Sequence, residues 1–155
     1  MFVYMNVSGF TMVVPYEALE TMGRPEYISL IFNRGKQRLI LIPVKRSAQE
    51  LAKVKIPDIV YRRKAAYALD GTPELCDLLS SIAGIAVRLQ NVRFNADAAF
   101  MNDEDLAQVA GIKTHALVSN MSVCVDLSQW ALDSSVHDGG ISEAYTTGGY
   151  EVGIQ

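Results

Sequence analysis

The sequence predicts a strand-rich α+β fold in which two strand–helix–hairpin units share one barrel-like core. Three observations lead to this prediction. Short apolar runs alternate with turn residues over 10–44, the same order of elements recurs over 59–101, and the run Arg38–Val44 is apolar on both faces. Such a strand must be covered on both sides, and one unit of this size is too small to do so. A second unit, in the same chain or in a partner, is therefore required.

The first unit contains one short helix. A β-rich segment reaches Pro15, whose fixed φ and missing N–H suit the first turn of a helix. Residues 16–22 carry an apolar face on Ala18, Leu19 and Met22, as a helix packed on a core requires. Gly23 followed by proline predicts where this helix ends.

A β-hairpin is predicted after the helix. Apolar and polar residues alternate from Tyr27, Asn33–Gln37 has the composition of a loop, and Arg38–Val44 is the return strand. Gly35 in this loop is able to take a positive φ, as hairpin loops of this kind often require.

The segment from residue 3 to residue 46 resembles the AbrB/SpoVT-like swapped-hairpin family. The resemblance depends on Val14-Pro15 before a two-turn helix, on Gly23 with its neighbours, and on the hairpin that ends at Val44. The family forms interlocked dimeric β-barrels, and most members are transcription regulators and antitoxins that bind DNA, so the resemblance implies this fold and this function. Family members usually place Lys or Arg directly after the proline. Here the residues 16–20 contain two acids and no base, a departure that bears on DNA binding rather than on the fold.

The second unit is expected within residues 59–132. We predict a strand over 59–69 and a helix over Thr72–Ala83, which starts with a threonine N-cap and a proline. A second hairpin is predicted over 87–101, with its turn at Asn95–Asp97, followed by a further helix and a strand over 116–127. The helix predicted over residues 72–83 has the clearest apolar stripe in the chain, with apolar residues at spacings of 3, 4, 7 and 8: Leu75, Leu78, Leu79, Ile82 and Ala83.

Four segments follow from these predictions. Residues 1–46 form the AbrB-like unit, 47–58 a connector that is either a short helix or an exposed link, and 59–132 the second unit with its extra helix and strand. Residues 133–155 are rich in Ser, Gly, Thr and Tyr. We expect this polar tail to be flexible, or to dock as an irregular strand on its own barrel or on a partner.

Charge divides the chain in two. Residues 1–66 contain eleven Lys or Arg against five Asp or Glu, whereas residues 67–155 contain three against twelve. This asymmetry has two readings: a nucleic-acid face beside an acidic interaction region, or two halves that attract each other.

The residues with catalytic or metal-binding chemistry are few. No two of Cys76, Cys124, His115 and His137 have the spacing of a metal site, and neither cysteine has a basic neighbour that would activate a thiolate. We expect two reduced, buried thiols, no metal, no cofactor and no enzymatic activity. The acids at 103–105 follow a predicted helix N-cap, where they offset the helix dipole.

One set of residues is left as a candidate binding site, the bases on and after the first hairpin: Arg34, Lys36, Arg38, Lys45 and Arg46. On a continuous face such a cluster contacts phosphates. As solvated hairpin edges, the same bases would only discourage strands from pairing edge to edge.

We therefore expect a cytoplasmic regulator that binds duplex DNA and self-associates as a homodimer or higher oligomer. The absence of a long apolar run or a basic leader argues against a membrane protein or an exported one. The alternative is an antitoxin-like interaction module without DNA binding, in which the acidic half and the segment 133–155 bind a protein partner.

Overall fold

Antiparallel β-strands dominate the part of the chain that the structure describes. The computed structural model describes residues 2–6, 11–48, 53–70, 77–81, 84, 92–102, 104, 117–132 and 153–154. The strands are β1 (Phe2–Asn6), β2 (Thr11–Val14), β3 (Tyr27–Asn33), β4 (Arg38–Val44), β5 (Val54–Lys55), β6 (Tyr67–Asp70), β7 (Val92–Phe100), β8 (Met121–Leu132) and β9 (Gly153–Ile154). The helices are α1 (Tyr16–Thr21) and α2 (Asp58–Arg63). The predicted class, a strand-rich α+β fold, is confirmed.

The strands form one hydrogen-bonded path that curves. Its order is β5-β3-β4-β8-β7-β1-β2-β6, and β9 adds to β3 in parallel. A flat sheet of eight strands would be about 34 Å wide. Only residues 56–66 separate the two end strands, β5 and β6, along the chain, and six of these residues form the helix α2. The sheet must therefore bend to bring its ends together. No ladder joins β5 to β6 among the described strands, so the expected barrel closure is absent there.

The two helices and their flanking strands exchange partners. β2, which precedes α1, pairs with β6, which follows α2; β3, which follows α1, pairs with β5, which precedes α2. Each helix starts after a proline in extended conformation, Pro15 with ψ 151° and Pro57 with ψ 143°. The recurring unit is therefore strand–proline–helix–strand, and it is shorter than the strand–helix–hairpin unit that the sequence predicts.

The helices meet each other where the ends of the sheet approach. The rings of Tyr16 and Tyr61 contact edge to face, with centroids 6.5 Å apart. The Tyr61 hydroxyl donates a hydrogen bond to the Pro25 carbonyl, and burial is the main cause that raises the pKa of this tyrosine above its ordinary value. The amide of Ile56 donates to the Glu26 carbonyl at 2.7 Å. These contacts hold α2 and the residue that follows β5 against the first half of the chain.

β4 is buried on both faces, as the sequence predicts. Leu39 and Leu41 belong to the main core, which also contains residues from α1, α2 and the strands β2 to β8. Ile42 and Val44 face a second, smaller cluster that is completed by Ile31, Ala48, Met101 and Leu117. The segments 3–44 and 59–101 therefore contribute to one core rather than to separate domains.

The first hairpin and its helix agree with the prediction, apart from one residue in the loop. α1 ends at Thr21, and Gly23 takes a φ of +87° directly afterwards. In the loop between β3 and β4, the left-handed residue is Gln37, with a φ of +52°, and not Gly35. The Asn33 side chain accepts a hydrogen bond from the Lys36 amide at 3.1 Å, so the loop is folded without a positive φ at its glycine.

The predicted strand over 59–69 is wrong in its first half. Residues 58–63 form α2, and the strand begins only at Tyr67. Pro57 is the N-cap of α2, and Lys64, with a left-handed φ of +49°, is its C-cap. The β-branched and aromatic residues of this segment favour a strand, but the helix buries Val60 in the core. The predicted connector also contains a strand, β5, over Val54–Lys55.

The predicted turn at Asn95–Asp97 is wrong as well. These residues lie within the continuous strand β7, in which Val92, Phe94 and Ala96 are buried and Asn95 and Asp97 are exposed. The polar residues alternate with the buried ones, so they mark the outer face of a strand. Residues 87–91, where this hairpin was expected to begin, lie outside the described part.

Other predicted elements are described only in part. Residues 77–81 of the predicted helix 72–83 are helical, with Leu79 buried and Leu78 half-buried; Leu75, Ile82 and Ala83 lie outside the described residues. The predicted strand over 116–127 corresponds to β8, which begins at Met121. In the tail, Gly153–Ile154 forms β9 on this chain's own β3, and 133–152 lies outside the described residues.

Replacement of Leu79 should destabilise the protein. This side chain is 1% exposed within the main core, so we expect Leu79→Ala to lower the free energy of unfolding by roughly 2–5 kcal/mol. Urea denaturation followed by circular dichroism measures the loss. Leu78→Ala should have a smaller effect because Leu78 is only half-buried, and Ser81→Ala, at an exposed position, should change stability by less than about 0.5 kcal/mol. Equal losses at Leu78 and Leu79 would contradict this packing.

Candidate nucleic-acid interface

The five predicted binding residues lie at opposite ends of the β3–β4 ribbon. Arg34 and Lys36 are in the turn Arg34–Gln37, and Arg38 is the first residue of β4. Lys45 and Arg46 directly follow the other end of β4, and the seven residue pairs of the β3–β4 ladder lie between them and the turn. With about 3.3 Å per residue, the two groups are roughly 20 Å apart. The structure therefore brings three of the five bases together.

The turn Arg34–Gln37, which we call the hairpin tip, is a folded and exposed structure. The Gln37 amide donates to the Arg34 carbonyl at 3.3 Å, and the Gln37 carbonyl accepts a hydrogen bond from the Leu127 amide at 2.9 Å. All four residues of the tip are exposed. Its backbone is thus held by β8 while its two basic side chains, Arg34 and Lys36, lie at the surface.

One rung of the sheet connects the tip to the strands beside it. Arg38 on β4 pairs with Asp126 on β8, and Asp126 pairs with Asn95 on β7. Residues opposite each other in antiparallel strands share a face, so these three side chains lie on the outer face. Arg38 also contacts the Asp126 carboxylate at 3.7 Å, a long ion pair that partly neutralises this base.

β8 contains a bulge directly after Asp126. Asn95 pairs with Asp126, but Phe94 pairs with Trp130, so Leu127, Ser128 and Gln129 have no partner on β7. The Asp126 carboxylate accepts hydrogen bonds from the Ser128 amide at 3.0 Å and from its hydroxyl at 2.6 Å. The Ser128 hydroxyl is the main cause that lowers the pKa of Asp126, and the charge of Arg38 contributes less. Such a bulge redirects the side chains that follow it.

A shallow cleft of about 260 Å³ lies beyond the bulge. We call it the bulge cleft; its lining residues come from β7 and β8: Arg93, Asn95, Gln129, Trp130 and Ala131. Trp130 is 37% exposed, and it is the single tryptophan of the chain. Sequence reasoning missed this cleft. The available signal was a tryptophan in the polar setting Ser128-Gln129-Trp130, but the cleft itself depends on the register between two distant strands.

Most of the other described bases lie elsewhere. Arg62, Arg63 and Lys64 are exposed at the end of α2, where positive charge offsets the helix dipole. Lys53 donates to the Ala48 carbonyl at 2.8 Å, and Lys55 lies 3.7 Å from the Glu26 carboxylate. The outer surface of α1 is acidic instead, because Glu17 and Glu20 are exposed.

Other kinds of site are not found in the described residues. No group of three His, Cys, Asp or Glu within them is placed to hold a metal ion. Cys124 is half-buried in β8, and Cys76 lies outside the described ranges. Within those ranges no helix has the length and apolar character needed to cross a membrane. The comparisons with known proteins add no assignment: no family model, no curated protein and no solved structure matches this chain.

The protonation of Asp126 should depend more on Ser128 than on Arg38. Because the Ser128 hydroxyl is the largest cause of the lowered pKa, Ser128→Ala should raise the Asp126 pKa more than Arg38→Ala does. A ¹³C NMR titration of the Asp126 carboxyl group measures both.

The lowered pKa also has a consequence for stability. A carboxyl group whose pKa is lower in the folded state stabilises the fold above its unfolded pKa, about 3.9, and loses this contribution as the pH falls through the folded value. Asp126→Asn should therefore lose less stability than the wild type on acidification below about pH 4. A larger effect of Arg38→Ala on the pKa would mean that the ion pair, rather than the bulge, controls this residue.

Proposed function

We propose that the protein is a non-enzymatic, AbrB-like regulator that binds duplex DNA through the phosphates. The observation that carries this proposal is the group of three bases on and beside the hairpin tip: Arg34, Lys36 and Arg38. Arg34 and Lys36 are exposed on a turn whose backbone is held by β8. Phosphate contacts need positive side chains at the surface of a structure that keeps them close together.

The distance between the two groups of bases refines the proposed contact. Lys45 and Arg46 are roughly 20 Å from the tip along the ribbon, next to the ion pair of Lys55 with Glu26. A duplex seated on the tip would reach them only if it lay along the whole ribbon. The proposal therefore assigns the phosphate contacts to the tip and leaves Lys45 and Arg46 as a comparison group of equal charge.

Two further observations are relevant to the proposal. The exchange of strands around α1 and α2 is the kind of pairing expected of two interlocking units, and it supports the resemblance to the swapped-hairpin family. The exposed Glu17 and Glu20 would repel phosphates, so DNA is expected to approach the tip and not α1.

A protein-binding module is the second candidate. It is favoured by β9, which adds in parallel to the edge of β3 beyond β5. Addition of a short strand to a sheet edge is a common way to bind a peptide or a partner chain. On this reading the acidic half and the segment 133–155 would bind a protein partner, without DNA.

Neutralisation of the tip and of Arg38 beside it should weaken DNA binding and reduce its dependence on salt. If Arg34, Lys36 and Arg38 each contact a phosphate, the slope of log K against log salt should flatten by roughly 0.9 for each lost contact in the triple alanine variant. Fluorescence anisotropy with a mixed-sequence duplex, from about 50 mM salt upwards, measures the slope. Circular dichroism checks that the fold is intact.

The matched control removes charge at the other end of the ribbon. Lys45→Ala/Arg46→Ala should leave the slope close to that of the wild type, and Arg34→Ala/Lys36→Ala, with the same loss of charge, should flatten it. Equal slopes for the two double variants would mean that binding is not localised at the tip. If the wild type retains no duplex at about 50 mM salt, the regulator is ruled out in favour of the protein-binding module.

A further inference from the structure

One edge of β3 is shared by two short strands. β4 pairs with β3 along the whole opposite edge, from Tyr27 to Asn33. On the shared edge, β5 pairs with Tyr27 and Ile28, and β9 pairs with Ile31 and Phe32. Because β5 ends the strand order of the sheet, residues 31 and 32 lie at a sheet edge. Among the described strands, β9 is the one that covers this part of the edge.

β9 adds to a core that other parts of the chain have already formed. The described core residues lie between Met12 and Leu127, whereas β9 is separated from the end of β8 by the twenty residues 133–152. Its ladder with β3 has two residue pairs and runs parallel, while the β3–β4 ladder has seven pairs. A parallel ladder of two pairs contains few hydrogen bonds, and these are slanted. The attachment of β9 is therefore weak compared with that of the other neighbour of β3.

The occupant that fits this edge is an extended, uncharged segment. The register places Gly153 opposite Ile31 and Ile154 opposite Phe32. Phe32 is buried in the main core and Ile31 in the second cluster, so an added strand is recognised mainly through the backbone of β3. Main-chain hydrogen bonds supply the affinity in this mode of binding, and proline is excluded where its missing N–H is needed. The run Val152-Gly153-Ile154 has neither charge nor proline.

We infer from this arrangement that residues 31 and 32 of β3 form a docking site for an extended peptide of a protein partner, with the same chemistry as β9. β9 occupies the site within the chain and exchanges with that peptide. Because a tethered strand acts at an effective concentration in the millimolar range, β9 sets the affinity that a partner has to exceed. The inference goes beyond DNA binding and does not rest on it, since the bases of the hairpin tip take no part.

The release of β9 by proline tests the inference in the full-length chain. Gly153→Pro/Ile154→Pro removes both amide donors and should vacate the edge. The probe is a fluorescein-labelled peptide with the sequence of residues 150–155, and fluorescence anisotropy measures its binding. The released variant should bind the peptide at least about tenfold more tightly than the wild type, whose own strand competes for the site. A peptide that carries the same two prolines should not bind.

A matched control adds two prolines without altering β9. Thr146→Pro/Thr147→Pro should bind the peptide as weakly as the wild type does. Amide hydrogen exchange gives a second measurement, because successive residues of a strand point their amides to opposite edges. One of the two amides of Ile31 and Phe32 should therefore exchange faster in the released variant. Leu41, which β3 and β8 flank on both sides, should stay protected.

The possible outcomes are distinct. If the released variant fails to bind the peptide, or binds it no better than the wild type, the inference is overturned. A concentration-dependent dimer of the released variant in size-exclusion chromatography, without peptide binding, would assign the edge to a second copy and overturn the peptide site.

Circular dichroism shows whether the released variant folds. If it does not, the peptide at millimolar concentration should still shift the amide NMR signals of Ile31 and Phe32 in the wild type, and unchanged signals would overturn the inference. The salt dependence of DNA binding at the hairpin tip is measured without the peptide, so the DNA-binding proposal stands or fails separately.

Discussion

The structure depends on one constraint, that β4 has to be buried on both of its faces. Leu39 and Leu41 need a cover on one side, and Ile42 and Val44 need one on the other. β3 and β8 pair with the two edges of β4, but its faces require more distant parts of the chain. Residues of the main core, from both helices and most strands, cover one face of β4. Met101 and Leu117 help to cover the other face.

The same constraint explains why the candidate interface lies at one end of the ribbon. The outer face is apolar near Val44, where the second cluster covers it, and polar near Arg38, where Asp126 and Asn95 share its rung. The hairpin tip extends past the last covered residues. The bulge in β8 interrupts the pairing with β7 directly beside this rung. The exposed bases of the tip thus lie where the core ends.

Local signals account for the elements that sequence reasoning predicted. Pro15, Gly23 and the alternation from Tyr27 act within a few residues of where they stand, and α1, β3 and β4 follow them closely. The helix α2 was missed because its β-branched residues favour a strand in isolation, although Pro57 resembles Pro15 in position and conformation. In that case burial of Val60 and the contact of Tyr61 with Tyr16 outweigh local preference.

The candidate site was harder to foresee because it depends on strand register. The sequence identifies the bases at 34, 36 and 38, but only the pairing of β4 separates them from Lys45 and Arg46. The bulge cleft requires β7 to be one continuous strand and β8 to contain three extra residues at the bulge. Neither property can be derived from a window of neighbouring residues, since each is set by which distant strands pair.

The most direct test of this account is to map DNA binding on the backbone amides. In ¹H–¹⁵N NMR spectra of the labelled protein, addition of DNA at low salt should shift the amide signals of Arg34–Arg38 and of the bulge Leu127–Gln129. The amides of Lys45, Arg46 and β5 should stay in place. Shifts confined to the Lys45 end of the ribbon or to α1, or no shifts at all, would contradict the claim that the hairpin-tip end of the sheet binds nucleic acid.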